Sequence, residues 1–202
     1  MNDNKSFWQR CARFYTPIQQ RSNRKLYRQL TDLCRPHIAP GSQVLELACG
    51  SGQFTYPLCD MAGSWEATDF SEAMIAQAKK VSCSAHFSVQ DATCLPYGNR
   101  SFDLVLMANA LHIMPNPRMA LSEIHRVLKP DGILLVPTFV YEGKVNYFRM
   151  WLTTMLGFRT FHHWTSQELC RFVEAESYRC IQCEPVPGSP LPVAFAVFRK
   201  TS

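Results

Sequence analysis

The chain has 202 residues, 47% hydrophobic and 18% charged, a balance that fits one globular domain with its own core and excludes a disordered chain. Its net charge of +5 is spread without a Lys/Arg-rich block, which disfavours nucleic acid as a partner. The first residues lack the apolar stretch of a secretory signal, no run approaches the ~18 consecutive apolar residues of a spanning helix, and the nine cysteines, an odd count, are expected to be reduced thiols of a cytoplasmic protein.

The chain opens on a polar, basic stretch, residues 1–40, in which Leu26, Tyr27, Leu30 and Leu33 recur at helical spacing. Pro36 and Pro40-Gly41 end it. Gln43–Leu47 reads as a short apolar strand, followed by a glycine-bearing turn and a helical segment to about Met61. Trp65–Thr68 is a second strand, and Ser71 is the expected N-cap of a helix over Glu72–Lys80. Ala85–Val89 is a third strand, and Phe102–Met107 a fourth, continuously apolar as a central parallel strand is. Pro117–Leu128 is a helix that closes at Lys129-Pro130-Asp131-Gly132, and Ile133–Val136 is a fifth strand. Strands alternating with helices predict βαβ units and an α/β fold. Farther on, Val145, Phe148, Leu152, Met155 and Leu156 suggest a helix, Thr165–Ala175 another, capped by Thr165 or Ser166, and Tyr178–Glu184 with Val193–Arg199 a closing pair of strands. Cys180 and Cys183 form a lone C-x-x-C. Residues three apart on a strand face opposite sides, so unpaired thiols are expected there.

The chemistry gathers at the ends of the predicted strands. Glu46 closes the first strand, and the turn Ala48-Cys49-Gly50-Ser51-Gly52 follows it. Small residues let backbone approach a ligand, and a helix N-terminus offers free N–H groups. A carboxylate here suits a cationic ligand group. A dinucleotide turn of the G-x-G-x-x-G type is the competing reading, but its third glycine position holds Thr55 and Glu46 would repel phosphate. Asp69, at the end of the second strand, can accept from two ribose hydroxyls. Asp91-Ala92, after the third, can offer a carboxylate and an N–H to an adenine edge. Ala108-Asn109-Ala110-Leu111-His112 follows the fourth strand, where ligands of such sheets bind. No cluster has metal-ligand spacing.

These motifs resemble those of the class I S-adenosylmethionine-dependent methyltransferases, in particular the type 11 group that includes ubiquinone and menaquinone C-methyltransferases. The resemblance covers residues ~43–138 and rests on Val44–Gly52, Glu66–Ser71, Asp91 through Leu95-Pro96, Ser101–Val105 and Arg126–Gly132. It implies a Rossmann-like, mostly parallel seven-stranded sheet with helices on both faces and an antiparallel last strand. It implies S-adenosyl-L-methionine as cofactor, with Glu46 and the Gly50–Gly52 turn at its methionine part, Asp69 at the ribose, Phe70 beside the adenine, Asp91 and Ala92 at the adenine edge, and Asn109 on the methionine side. Ala48 stands where the family commonly carries Gly, and a positive φ there would strain it.

The implied activity is methyl transfer to a small-molecule acceptor; the alternative is an inactive cofactor-binding or regulatory protein with the same fold. Adenine- and glutamine-directed relatives carry an Asn/Asp-Pro-Pro-Tyr-like motif after the fourth strand, which this chain lacks. If the acceptor must lose a proton, His112, Tyr15 and the pair His162-His163 are the candidate bases. The segment 139–165 is rich in aromatics (Tyr141, Tyr147, Phe148, Trp151, Phe158, Phe161, Trp164), and with the N-terminal Phe7, Trp8, Phe14 and Tyr15 it is expected to fold over the strand ends as a lid.

Overall fold

Two adjacent central strands sort their side chains alternately into two apolar layers in the computed structural model, which describes residues 4, 6–10, 12, 23–143, 155, 159–189 and 191–201. They are β1 (Gln43–Leu47) and β4 (Phe102–Met107), paired in parallel. Leu45, Leu47, Val105 and Met107 enter one layer, and Val44, Leu104 and Leu106 the other. With β2 (Ser64–Asp69), β3 (His86–Val89), β5 (Leu128–Phe139), β6 (Tyr178–Val186) and β7 (Val193–Lys200), they form a seven-stranded sheet in the order β3-β2-β1-β4-β5-β7-β6. Only β7 runs antiparallel to its neighbours β5 and β6, so the expected mostly parallel sheet with an antiparallel last strand is the observed one.

Helix α1 (Arg24–Cys34) buries Leu26, Leu30, Thr31 and Cys34. Helix α2 (Thr55–Leu58) continues as a 3-10 turn over Cys59–Met61, and α3 (Glu72–Ala78) starts at Ser71, whose hydroxyl accepts from the Met74 N–H. Helix α4 (Pro117–Val127) buries Ala120, Leu121, Ile124 and Val127, spaced as one helical face. Helix α5 (Ser166–Glu174) opens on a capping box between Thr165 and Glu168. The α4 and α5 side chains share a layer with Leu45 and Met107, while α1 and α3 share the other with Val44 and Leu104.

Two expectations change. β5 is longer than the apolar run Ile133–Val136, because Leu128 already pairs with Phe102 before the chain detours around Asp131, and β7 holds the strand as far as Phe139. β6 shifts register against β7 between Cys180 and Gln182, so Cys180 and Cys183 do not fall on opposite faces: Cys180 meets Cys170 of α5, and Cys183 reaches the Ser166 carbonyl at the start of that helix. The helix expected around Val145–Leu156 lies outside the described residues, apart from Met155, which is helical.

The motif Arg126–Gly132 has a visible structural task. Arg126 reaches from α4 to the carbonyls of Leu95 (3.0 Å) and Tyr97 (2.7 Å), while Glu123 accepts from the Leu95 N–H at 2.7 Å. Lys129 bonds Asp103, which also accepts from the Gln43 N–H at 2.8 Å. These contacts fix the loop after β3 and the lower ends of β1 and β4.

Candidate functional site

The strand order reverses between β1 and β4, and a cavity opens at the carboxyl ends of the strands there. It measures about 450 Å³, within the usual range for ligand sites. Its walls are the segments that leave four strands: Ala48, Cys49 and Gly50 after β1, Thr68, Asp69 and Phe70 at the end of β2, Gln90 to Thr93 after β3, and Met107 to Ala110 at the end of β4. Parallel strands bring these distant segments to one edge.

The turn after β1 is wound in left-handed backbone. Gly52 has φ +91°, which favours glycine, and a Cβ there would lie 2.5 Å from the tip of the Tyr56 ring, which would have to shift. Ala48 has φ 56°, the strain foreseen from its side chain. Ala48→Gly is expected to stabilise the protein by roughly 0.5–1 kcal/mol, the left-handed relief exceeding the entropy that glycine adds to the unfolded chain. A urea midpoint checks this; an unchanged or lower midpoint would show that the turn carries no strain at Ala48.

Asp69 organises the turn. Its carboxylate accepts from the Gly50 N–H and the Ser71 N–H, both at 2.9 Å, joining the β1 and β2 loops. It is 5% exposed, and burial raises its pKa to about 6 against those two hydrogen bonds. Asp91 accepts from the N–H (2.8 Å) and hydroxyl (2.7 Å) of Thr93, which shapes the β3 loop. Asn109 has φ 52° and donates its N–H to the Pro137 carbonyl at 2.7 Å. Its side-chain Oδ1 is buried and meets no donor among the described residues, while the residue itself borders the cavity.

Glu46 does not line the cavity. It lies below the turn, 1% exposed, and accepts from the Thr55 hydroxyl at 2.7 Å and the Trp65 indole N–H at 2.9 Å. Burial pushes its pKa up to about 7, opposed by these two bonds and assisted by the Asp69 charge. A carboxyl whose pKa is raised on folding stabilises the fold fully below its unfolded value and loses that contribution as pH rises through the folded one. Glu46→Gln keeps an acceptor for both donors. Its melting temperature is therefore expected to exceed wild type by a few degrees at pH 8, with the gap closing towards pH 4.5. A gap independent of pH would show that Glu46 does not titrate in this window.

His112 also stays outside the cavity lining. The 3-10 turn Leu111–Ile113 carries its ring into the interior, 2% exposed, where Nδ1 lies 2.8 Å from the Thr138 hydroxyl. Burial, then the neighbouring His162 and His163, lower its pKa to about 3, so the imidazole is neutral. Its backbone carbonyl accepts from the N–H groups of Phe161 and His162. Tyr15 lies outside the described residues.

The rim of the cavity contains residues that the sequence motifs did not mark: Asn4, Tyr27, Phe54, Met114, Pro115 and Met119 join the aromatic Trp8. Asn4 is buried and acts as a clasp. Its amide donates to the carbonyls of Ile113 (3.3 Å) and Arg159 (2.9 Å) and accepts from the Arg159 N–H at 3.1 Å. The N-terminal segment, the turn after β4 and the end of the aromatic segment are thus tied together at the rim. The base of that segment is closed by the Tyr141 N–H bonded to the Trp164 carbonyl and by Glu142 bonded to Ser166. No hydrophobic rhythm announced Asn4; a lone Asn in a polar stretch carries no sequence signal.

Residues 45–136 match the family described as "Methyltransferase domain". The demethylmenaquinone methyltransferase of Renibacterium salmoninarum is 38% identical over 100 residues, 50% of this chain and 42% of that protein. The Mycobacterium bovis demethylmenaquinone methyltransferase is 42% identical over 105 residues, 50% of this chain and 43% of its own. The chain therefore spans less than half the length of these curated relatives. Among solved structures, a chain of the complex between the Haloferax volcanii Trm112 methyltransferase activator and a methyltransferase superposes with a TM-score of 0.79 at 18% identity, covering 96% of this chain and 98% of that one. A SAM-dependent methyltransferase of Thermotoga maritima gives 0.73 at 22% identity, covering 96% and 98%. The matched residues run from β1 to β5, the segments that build the cavity, so this part of the chain is similar to a methyltransferase domain, and the strand order is that of the solved methyltransferase structures.

Proposed function

We propose that this protein binds S-adenosylmethionine in the cavity at the β1–β4 switch point and transfers its methyl group to a small, apolar aromatic acceptor. The observation that carries the reading is a cavity at the strand ends bordered by Asp69, Asp91 and Asn109, the last with a buried Oδ1 that meets no donor among the described residues. A cationic ligand with a ribose and an adenine suits those acceptors. In this reading Asp69 holds the ribose hydroxyls, Phe70 packs beside the adenine, and Asp91 with the Ala92 N–H meets its edge. Asn109 accepts from the methionine ammonium, and Ala48, Gly50 and Gly52 let the backbone come close. Glu46 acts from behind the turn, holding Thr55 and Trp65. When bound, the cofactor supplies an electrophilic methyl on a sulfonium.

The residues' own work is then to orient the acceptor and keep water out. Trp8, Tyr27, Met114 and Met119 offer apolar and aromatic surface at the rim. The names of the curated relatives, demethylmenaquinone methyltransferases, support a quinone-like acceptor. His112, buried and neutral on Thr138, serves in this proposal to hold the turn after β4 and not as the base. The N-terminal aromatic stretch, residues 1–16, and the segment 139–165 are proposed as the lid, joined by Asn4.

An acceptor screen tests the function: purified protein, S-adenosylmethionine and a panel of hydroquinones and other small aromatics, with S-adenosylhomocysteine followed by mass spectrometry. Turnover on an aromatic acceptor is expected. Cofactor binding without turnover on any acceptor would support the inactive alternative. Turnover is further expected to survive excess EDTA, since a sulfonium methyl needs no Lewis acid; loss with EDTA and recovery with Mg²⁺ would contradict this.

A further inference from the structure

Three thiols meet where α5 packs on the edge strand β6, away from the residues that line the cavity. Cys170 lies on α5, and Cys180 and Cys183 lie on β6. The register shift after Cys180 turns both strand cysteines towards the helix. Cys170 Sγ is 3.6 Å from Cys180 Sγ, and Cys183 Sγ reaches the Ser166 carbonyl, one turn before Cys170 on the same helix, at 4.0 Å. All three side chains pack against the core from partly exposed positions, so a small oxidant can reach them. Among the described residues no group of three His, Cys, Asp or Glu is arranged to hold a metal ion.

We propose that Cys170, Cys180 and Cys183 form a hydroperoxide-reactive thiol site that closes a reversible disulfide between α5 and β6. Cys183 is the attacking sulfur. The nearby Cys170 thiol holds its pKa below that of an ordinary thiol, whereas burial raises that of Cys180 and the interaction with Cys183 raises that of Cys170. The Cys183 thiolate attacks a hydroperoxide: an S–O bond forms, the O–O bond breaks, and the leaving oxygen departs as water or alcohol after taking a proton. The Cys170 sulfur then attacks the sulfenic acid. An S–S bond forms, the S–O bond breaks and water leaves, so two thiols and one hydroperoxide become one disulfide, one water and the reduced peroxide product. Cys180, in contact with Cys170, can then displace Cys183 by thiol–disulfide exchange, leaving Cys170–Cys180 and a regenerated Cys183 thiol. A dithiol reductant returns the site to its starting state.

The test is oxidation of the fully reduced, full-length protein with stoichiometric hydrogen peroxide, followed by alkylation and peptide mapping without reduction. The exposed Cys94 serves as the internal reference. Expected are a disulfide that joins Cys170 to Cys183 or Cys180, formed at least about tenfold faster than oxidation of Cys94 and reversed by dithiothreitol. Cys183→Ser should slow formation of this disulfide at least about tenfold, and Cys170→Ser should trap a dimedone-reactive sulfenic acid on Cys183. Oxidation of Cys94 ahead of the cluster, or a disulfide that excludes Cys170, would overturn the proposal. So would stoichiometric Zn²⁺ binding that protects the three thiols from alkylation, since it would make the cluster a metal site. The wild-type mapping decides the matter even if a variant fails to fold, and its outcome is independent of whether the cavity transfers a methyl group.

Discussion

Asp69→Ala should weaken S-adenosylmethionine binding by about 10- to 100-fold, the equivalent of losing a charge-assisted hydrogen bond of roughly 1.5–3 kcal/mol. Two losses combine at this position. The proposed ribose contact disappears, and the Gly50 and Ser71 N–H groups lose the carboxylate that ties their loops together. A thermal melt separates the two: if the fold alone suffers, Tm falls while affinity at low temperature is kept. Because the Asp69 pKa is raised to about 6, wild-type affinity should also fall as pH drops through that value, and the fall should be absent in the variant. Calorimetric titration from pH 5 to pH 8 checks both. Equal affinities for the two proteins would remove Asp69 from the site.

Removing residues 1–16 should abolish turnover while leaving cofactor affinity within a few-fold. The deletion takes away Trp8 from the rim and the Asn4 clasp, but none of the segments at the strand ends. The milder Asn4→Ala breaks only the hydrogen bonds to Ile113 and Arg159. At about 1 kcal/mol each for three bonds, it should lower turnover on the identified acceptor by roughly tenfold or more. Tyr15→Phe should lower the rate if that hydroxyl meets the acceptor. Normal turnover by the truncated protein would refute the N-terminal half of the lid; a circular-dichroism melt, run in parallel, shows that each variant is folded.

The fold was legible because its strands are either continuously apolar or bounded by strong punctuation. Phe102–Met107 is a buried parallel strand from end to end, and Ser71 caps its helix through the bond its position foretold. The site was legible to the extent that the switch point of a parallel sheet gathers loop residues, and so Ala48, Gly50, Asp69, Phe70, Asp91, Ala92 and Asn109 all border one cavity. Direction was harder to read than position. Glu46 and His112 stand beside the site in the sequence but turn away from it, towards Trp65 and Thr138, because a strand residue alternates faces and a 3-10 turn rotates its middle residue inward. Two further features had no local signal. A register shift of one residue brought Cys180 and Cys183 to the same helix, and a clasp by Asn4 joins segments 155 residues apart. Both depend on pairings made across long sequence distances.

The central claim is that this cavity is built for S-adenosylmethionine, and direct titration of the purified protein tests it. Saturable one-site binding of S-adenosylmethionine, displaced by S-adenosylhomocysteine and not by NADH, is the predicted result. No binding, or a preference for NADH under the same conditions, would contradict it.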